Sequence, residues 1–291
     1  MAVNICRLED LARFLDTAGP DRVVFRGQGD ESWGLVPSMF RGLESLDLNG
    51  WEDRIGEQER DIFREFSDRS IRLRSSNSAW DILMLAQHYG TPTRLLDWTT
   101  NAHFALYFAA SSSPGTDGAL WCARPSRVQM PSWIGRIHDG LGYRRERLAA
   151  YISDMDLPFS MPYSKPFPGP APAPPRPAFD QNGDPDLSGI LTFFLPEHSN
   201  ERVSAQIGLF SVYLSEHPTE VVVDHERYLR AVENRHGRAV LEKLVIPAAA
   251  KEDLLGGLER VGVDARAIYP DLHGLGIYLG LWQRRLVEEI R

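Results

Sequence analysis

Lysine is almost missing from this chain. Only Lys165, Lys243 and Lys251 stand among its 32 basic residues. The cationic groups are therefore nearly all guanidinium, the planar fork that suits two-point contact with phosphate or carboxylate. Cysteine is as scarce. Cys6 and Cys122 are the whole supply, too few for a disulfide framework or a Cys-based zinc site. Reduced thiols in a cytoplasm are the expectation. Positive charge is in deficit, with a formal net charge of -8. That excludes coating nucleic acid by bulk charge but leaves a local basic groove open. No uncharged apolar run nears the roughly 18 residues that a membrane helix needs. Arg7, Glu9 and Asp10 occupy the stretch where a signal peptide would be apolar. The expectation is a cytoplasmic chain with no membrane partner.

Familiar catalytic signatures are also missing. There is no Gly-x-x-x-x-Gly-Lys phosphate loop, no Gly-x-Gly-x-x-Gly, no Gly-x-Ser-x-Gly and no His-Glu-x-x-His. Asp224-His225-Glu226 is poorly spaced for zinc, so no metal site is expected.

What is present is a chain of 291 residues, 43% hydrophobic and 25% charged, which is ordinary globular composition rather than that of a disordered chain. Apolar spacing predicts helices over 8–16, 52–72, 79–88, 101–111, 136–153, 226–235, 250–261 and 275–290. Strands are expected at 23–25, 118–123, 189–195, 208–214, 221–223 and 240–246. Nine of the 20 prolines lie between Pro158 and Pro177. Proline cannot donate to a helix or a central strand, so about 155–188 reads as an insertion, a surface loop or a partner-binding strap. Strands and helices mix without a strict βαβ rhythm. That favours an α+β fold, one domain over 1–291 with its core at about 20–280.

Three blocks could carry chemistry. Phe25-Arg26-Gly27-Gln28 sets a guanidinium at the end of an apolar strand, where it must find water, a carboxylate or a ligand anion. Pairing with Asp97 is the structural alternative. Trp33, Pro37 and Arg41 follow closely enough to wall a pocket. The second block, Gln87-His88-Tyr89-Gly90-Thr91-Pro92-Thr93-Arg94-Leu95-Leu96-Asp97-Trp98-Thr99, reads as a helix end, a rigid turn, a connector and a helix start. Asp97 or Thr99 could cap that next helix. Taken singly, His88 and Trp98 could be core residues; together the cluster is more specific. The third block places Gln206 just before an apolar strand, where it could read an amide or a ribose hydroxyl, or simply bond a strand edge.

In this order the blocks resemble the FRG family, named for its Phe/Tyr-Arg-Gly motif. The tail from Leu244-Val245-Ile246-Pro247 to Tyr269-Pro270-Asp271-Leu272 resembles a fourth family block. A more distant similarity runs to ADP-ribosyltransferases. It implies a mainly antiparallel, split sheet flanked by helices and NAD as substrate, with Arg26 on the diphosphate and Arg94 assisting. Tyr89 or Trp98 would stack on nicotinamide, and Gly27, Gln28, Thr93 and Asp97 would line the binding site. Gln206, Glu201 or Glu242 would supply the group that fixes the ribose. A toxin or phage-defence role, a protein or nucleic-acid acceptor and an immunity or antitoxin partner would suit such an enzyme. Two other readings stay open. One is a non-catalytic sensor that binds a nucleotide or a partner. The other is a metal-independent nuclease with His88 as base, Arg26 and Arg94 as phosphate clamps and Asp97 as orienter.

Overall fold

The computed structural model describes residues 3–18, 23–43, 46, 51–74, 79–125, 143–144, 190–195, 208–214 and 224–290. The strand expected at 221–223, the proline-rich insertion, Glu201 and Gln206 lie outside them, as does the helix expected at 136–153 except Tyr143–Arg144, which are a short strand and not helix.

An open sheet of six longer strands with a two-residue strand at each edge organises the chain. The strands are β1 (Val3–Asn4), β2 (Val24–Gln28), β3 (Leu96–Thr99), β4 (Gly118–Ala123), β5 (Tyr143–Arg144), β6 (Ile190–Leu195), β7 (Gly208–Leu214) and β8 (Leu241–Ile246). Their order is β1-β8-β4-β2-β3-β7-β6-β5. The edge pairs β1–β8 and β5–β6 are parallel, and all others antiparallel. The α+β expectation holds.

Side-chain alternation builds two cores. Along β4, Leu120 and Cys122 enter one cluster, while Ala119, Trp121 and Ala123 enter the other. The first core is roofed by α1 (Leu8–Thr17), α4 (Ala102–Ser111), α6 (Lys251–Arg260) and α7 (Ala265–Ile268). The second is closed by α5 (His225–His236), through Tyr228, Leu229 and Val232, with Leu35 beside them. Helices α2 (Glu52–Ser70), α3 (Ala79–His88) and α8 (Leu272–Ile290) are the other α-helices among the described residues. Among the described residues no helix is long and apolar enough to cross a membrane.

Two sequence expectations need correction. The strand at 23–25 does not stop at Gly27 but runs on to Gln28. Residues 96–99 are a strand, not a connector and helix start. Leu96 and Trp98 are buried while Asp97 between them is exposed. That alternation over only four residues is too short to stand out against the turn residues around it. The cap of α4 is accordingly Asn101, whose side chain accepts from His103 N at 3.0 Å and Phe104 N at 3.4 Å. Neither Asp97 nor Thr99 fills that role.

The sheet is not evenly knit. Strand β2 follows β4 over five residue pairs but meets β3 at one, Phe25 with Thr99. Past that pair the two strands splay, so the four strands on the β4 side and the four on the β7 side meet along a seam. A strand edge opened this way leaves backbone groups in search of partners.

Candidate functional site

The seam carries a cavity of about 300 Å³. Strand β2 lends it Phe25, Arg26 and Gly27, and β3 lends Asp97, Trp98 and Thr99. Gln87 and His88 come from the end of α3, Ala105 and Phe108 from α4, Phe210 from β7, and Tyr269 from the turn after α7. The first two sequence blocks therefore meet in one place, although 60 or more residues separate Arg26 from His88 in the chain.

Arg26 is the cation of this site. Its side chain is 13% exposed. Nη1 crosses the seam to donate to the Asp97 carbonyl at 2.9 Å, the kind of backbone acceptor that splaying frees. The same nitrogen lies 3.7 Å from Asp97 Oδ2. Its Nε is buried and has no partner among the described residues. Burial pushes the guanidinium's pKa below its usual value; the Asp97 charge works against that, and the Arg41 charge adds to it. A guanidinium remains protonated even so. The site thus holds a desolvated, incompletely paired cation, which favours an anion in the cavity.

Asp97 faces it with 57% of its side chain exposed. A chain of polar side chains fixes its direction. Thr93 Oγ1 bonds Gln87 Oε1 at 2.5 Å, and Gln87 Nε2 donates to Asp97 Oδ2 at 2.7 Å. Thr93 is anchored by its own N–H donating to Ser38 Oγ at 3.0 Å. Thr93, expected in the binding site, is buried and acts behind it. Gln87 opens the second sequence block, where nothing marks it out from its neighbours, and it turns the carboxylate toward the cavity.

Other expected residues have different employment. Arg94 does not line the cavity. It grips Glu59 of α2 with both ends of its fork, Nε to Oε1 at 2.7 Å and Nη2 to Oε2. Gln28 is buried on the second core's side, where Nε2 donates to the Gly34 carbonyl at 3.1 Å and Oε1 accepts from Trp121 Nε1 at 2.6 Å. Tyr89 is 71% exposed and outside the cavity lining, its ring edge-on to His88. Glu242 also stands outside it, on β8 two strands away, paired with Arg124. Trp33, Pro37 and Arg41 do not line the cavity either.

Gly27 has a packing reason. A Cβ there would lie 1.8 Å from the Ala105 carbonyl oxygen. The glycine lets α4 press against β2, and Phe108 of the same helix reaches the cavity as a result. Phe108, Phe210 and Tyr269 give it aromatic walls, with Phe108 and Tyr269 edge-to-face at 6.2 Å. Each lies in or beside a recognisable sequence block, but only the fold shows that they converge. Among the described residues no group of three or more His, Cys, Asp or Glu side chains could hold a metal ion. Asp224 caps α5, accepting from Glu226 N at 2.8 Å and from Arg227 N.

Against known proteins, residues 21–117 match the FRG domain family model. No curated protein and no solved structure matches the chain. The matched stretch contains all the cavity residues given by β2, α3, β3 and α4. Phe210 and Tyr269, and with them the third and fourth sequence blocks, lie beyond it.

Proposed function

We propose that the seam of this chain, whose residues 21–117 match the FRG domain family model, binds NAD and transfers ADP-ribose from it. The observation that carries the reading is Arg26, an incompletely paired guanidinium held in a splayed sheet beside a carboxylate and aromatic walls. A cavity of about 300 Å³ is at the small end of ligand sites and suits a ring with its sugar. Arg26 is assigned the diphosphate, by charge-assisted hydrogen bonds. Trp98, Phe108 and Phe210 offer surface for the nicotinamide ring.

In the reaction, the bond between ribose C1′ and the nicotinamide nitrogen breaks, and its electron pair leaves with nicotinamide. The lone pair of an acceptor, or of water, forms the new bond to C1′, and the acceptor gives up a proton. The ribose passes through an oxocarbenium-like state, as in glycoside hydrolysis. Asp97 is assigned the balancing of that positive charge and the uptake of the proton. It takes this role in preference to Glu242, whose carboxylate is engaged with Arg124. A toxin or phage-defence effector, with a protein or nucleic-acid acceptor and an immunity partner, is the setting this chemistry fits.

A second reading, a nucleotide-binding sensor without turnover, is favoured by one fact. Asp97 Oδ2 already accepts from Gln87, so the carboxylate could serve only to orient Arg26. The nuclease reading has less support, since Arg94 is committed to Glu59. Nicotinamide release from NAD by the full chain separates them, measured with water and with protein and nucleic-acid acceptors. Release is expected to fall by about 100-fold or more in both Arg26→Ala and Asp97→Asn, as for loss of a preorganised charge at a reacting centre. No release by the wild type, with a Tm raised by NAD, supports the sensor instead.

A further inference from the structure

Behind Trp98, on the second core's side of the sheet, lies a buried polar group that the proposed reaction does not use. Trp98 Nε1 donates to Ser211 Oγ at 2.8 Å, and Ser211 Oγ is 3.2 Å from His225 Nδ1. Ser211 and His225 are both fully buried. Neither lines the cavity, so they are not a nucleophile and its base. One detail sets the trio apart from a satisfied core histidine. His225 Nε2 is buried with no partner among the described residues, and so is Arg26 Nε. Orphaned buried polar atoms are rare and each calls for an explanation.

The two orphans are complementary. Burial, and then the charge of Arg26, push the His225 imidazole down to about 3, so it is neutral near pH 7 and carries one N–H and one lone pair. If Nε2 bore the proton, a buried N–H would lack an acceptor among the described residues, in the field of the Arg26 charge. With the proton on Nδ1, His225 donates to Ser211 Oγ, which has lone pairs for both His225 and Trp98. Arg26 lies between Val24 and Gln28 on the second-core face of β2, the face on which Trp98, Ser211 and His225 are joined, and a bare Nε2 is the tautomer that the Arg26 charge favours.

We propose that His225 is a positioning residue for Arg26, its Nε2 lone pair receiving the Arg26 Nε–H as the guanidinium closes on an anion. Through Ser211 the same imidazole is tied to Trp98, so the cation and the aromatic wall of the cavity are set by one buried chain. The inference rests on the reading that the cavity binds an anion at Arg26, but its tautomer is open to a test that needs no ligand.

Nitrogen-15 NMR of histidine-labelled full chain reads that tautomer near pH 7. The expected result is one His225 form, Nδ1 protonated and Nε2 bare, becoming a mixed or inverted population in Arg26→Leu. A protonated Nε2 in the wild type, or no change in Arg26→Leu, overturns the proposal. Affinity for ADP-ribose supplies the second measurement. His225→Phe is expected to bind about tenfold more weakly, the worth of one hydrogen bond to a charged group, and His225→Gln to keep most of the affinity because its amide oxygen can accept. Equal affinity in wild type, Phe and Gln variants contradicts the role. Failure of the wild type itself to bind ADP-ribose contradicts the NAD reading, and the tautomer result still decides what His225 does.

Discussion

At the scale of single residues, the site depends on what each polar group is already doing. Arg26 and Arg94 look alike in sequence, each a guanidinium beside apolar neighbours. Arg26 has an orphaned nitrogen and a cavity; Arg94 has Glu59. That distinction was not legible, because Glu59 sits on α2, 35 residues earlier. Glu59→Gln is therefore expected to remove the charge that faces a largely buried cation and destabilise the fold by about 3 kcal/mol. A urea unfolding series checks it, and an unchanged midpoint would show that Arg94 does not need its partner. Gly27 is the opposite case, a motif residue whose importance was legible but whose reason was not. Its hydrogen faces the α4 backbone, so Gly27→Ala forces β2 and α4 apart at an expected cost of about 3 kcal/mol, the upper range for an overpacked site. Thermal denaturation would show this as a clear fall in Tm. A wild-type Tm in that variant would mean that the helix does not pack as described.

At the scale of elements, periodicity located the long helices and strands α2, α3, β4 and β7 to within a few residues, since each repeats its pattern often enough to be read. It failed at β3. Four residues give one alternation, and the adjoining Pro92, Thr93 and Asn101 suggest turn and cap. Yet β3 makes the seam, and with it the cavity. The short strand is held on its far side by four pairs to β7, and by one to β2. Position of the α4 cap follows from this register. Asn101→Ala is expected to cost about 1 kcal/mol, read as a lower denaturation midpoint, whereas Thr99→Val should leave both N–H bonds of the cap to Asn101 intact.

At the scale of the whole molecule, two half-sheets share one seam with a core on each face of the sheet, and charge is buried where the halves meet. His225 makes that burial measurable. Its ordinary value of 6.5 drops to about 3 on folding. The unfolded chain therefore takes up a proton between these values that the folded chain refuses. Stability is full above about pH 6.5 and declines as pH falls toward 3, by an amount on the order of a few kcal/mol for a shift of this size. Comparing urea midpoints at pH 7 and pH 4.5 in wild type and His225→Gln isolates the contribution. The loss on acidification should shrink in the variant, and an equal loss in both would place the acid-sensitive group elsewhere.

The gathering of Arg26, His88, Asp97 and Trp98 was foreseeable from their motifs; the splay that opens a cavity between them was not, because it belongs to a pairing register and not to any residue type. The claim on which the rest depends is that Arg26 in this seam is an anion clamp. Calorimetric titration of NAD into the full chain, wild type against Arg26→Ala, tests it most directly. Saturable binding by the wild type, weakened by about 10- to 100-fold in the variant as expected for lost charge-assisted hydrogen bonds, is the predicted result. Equal affinity in the two proteins, or no binding by the wild type, would contradict it.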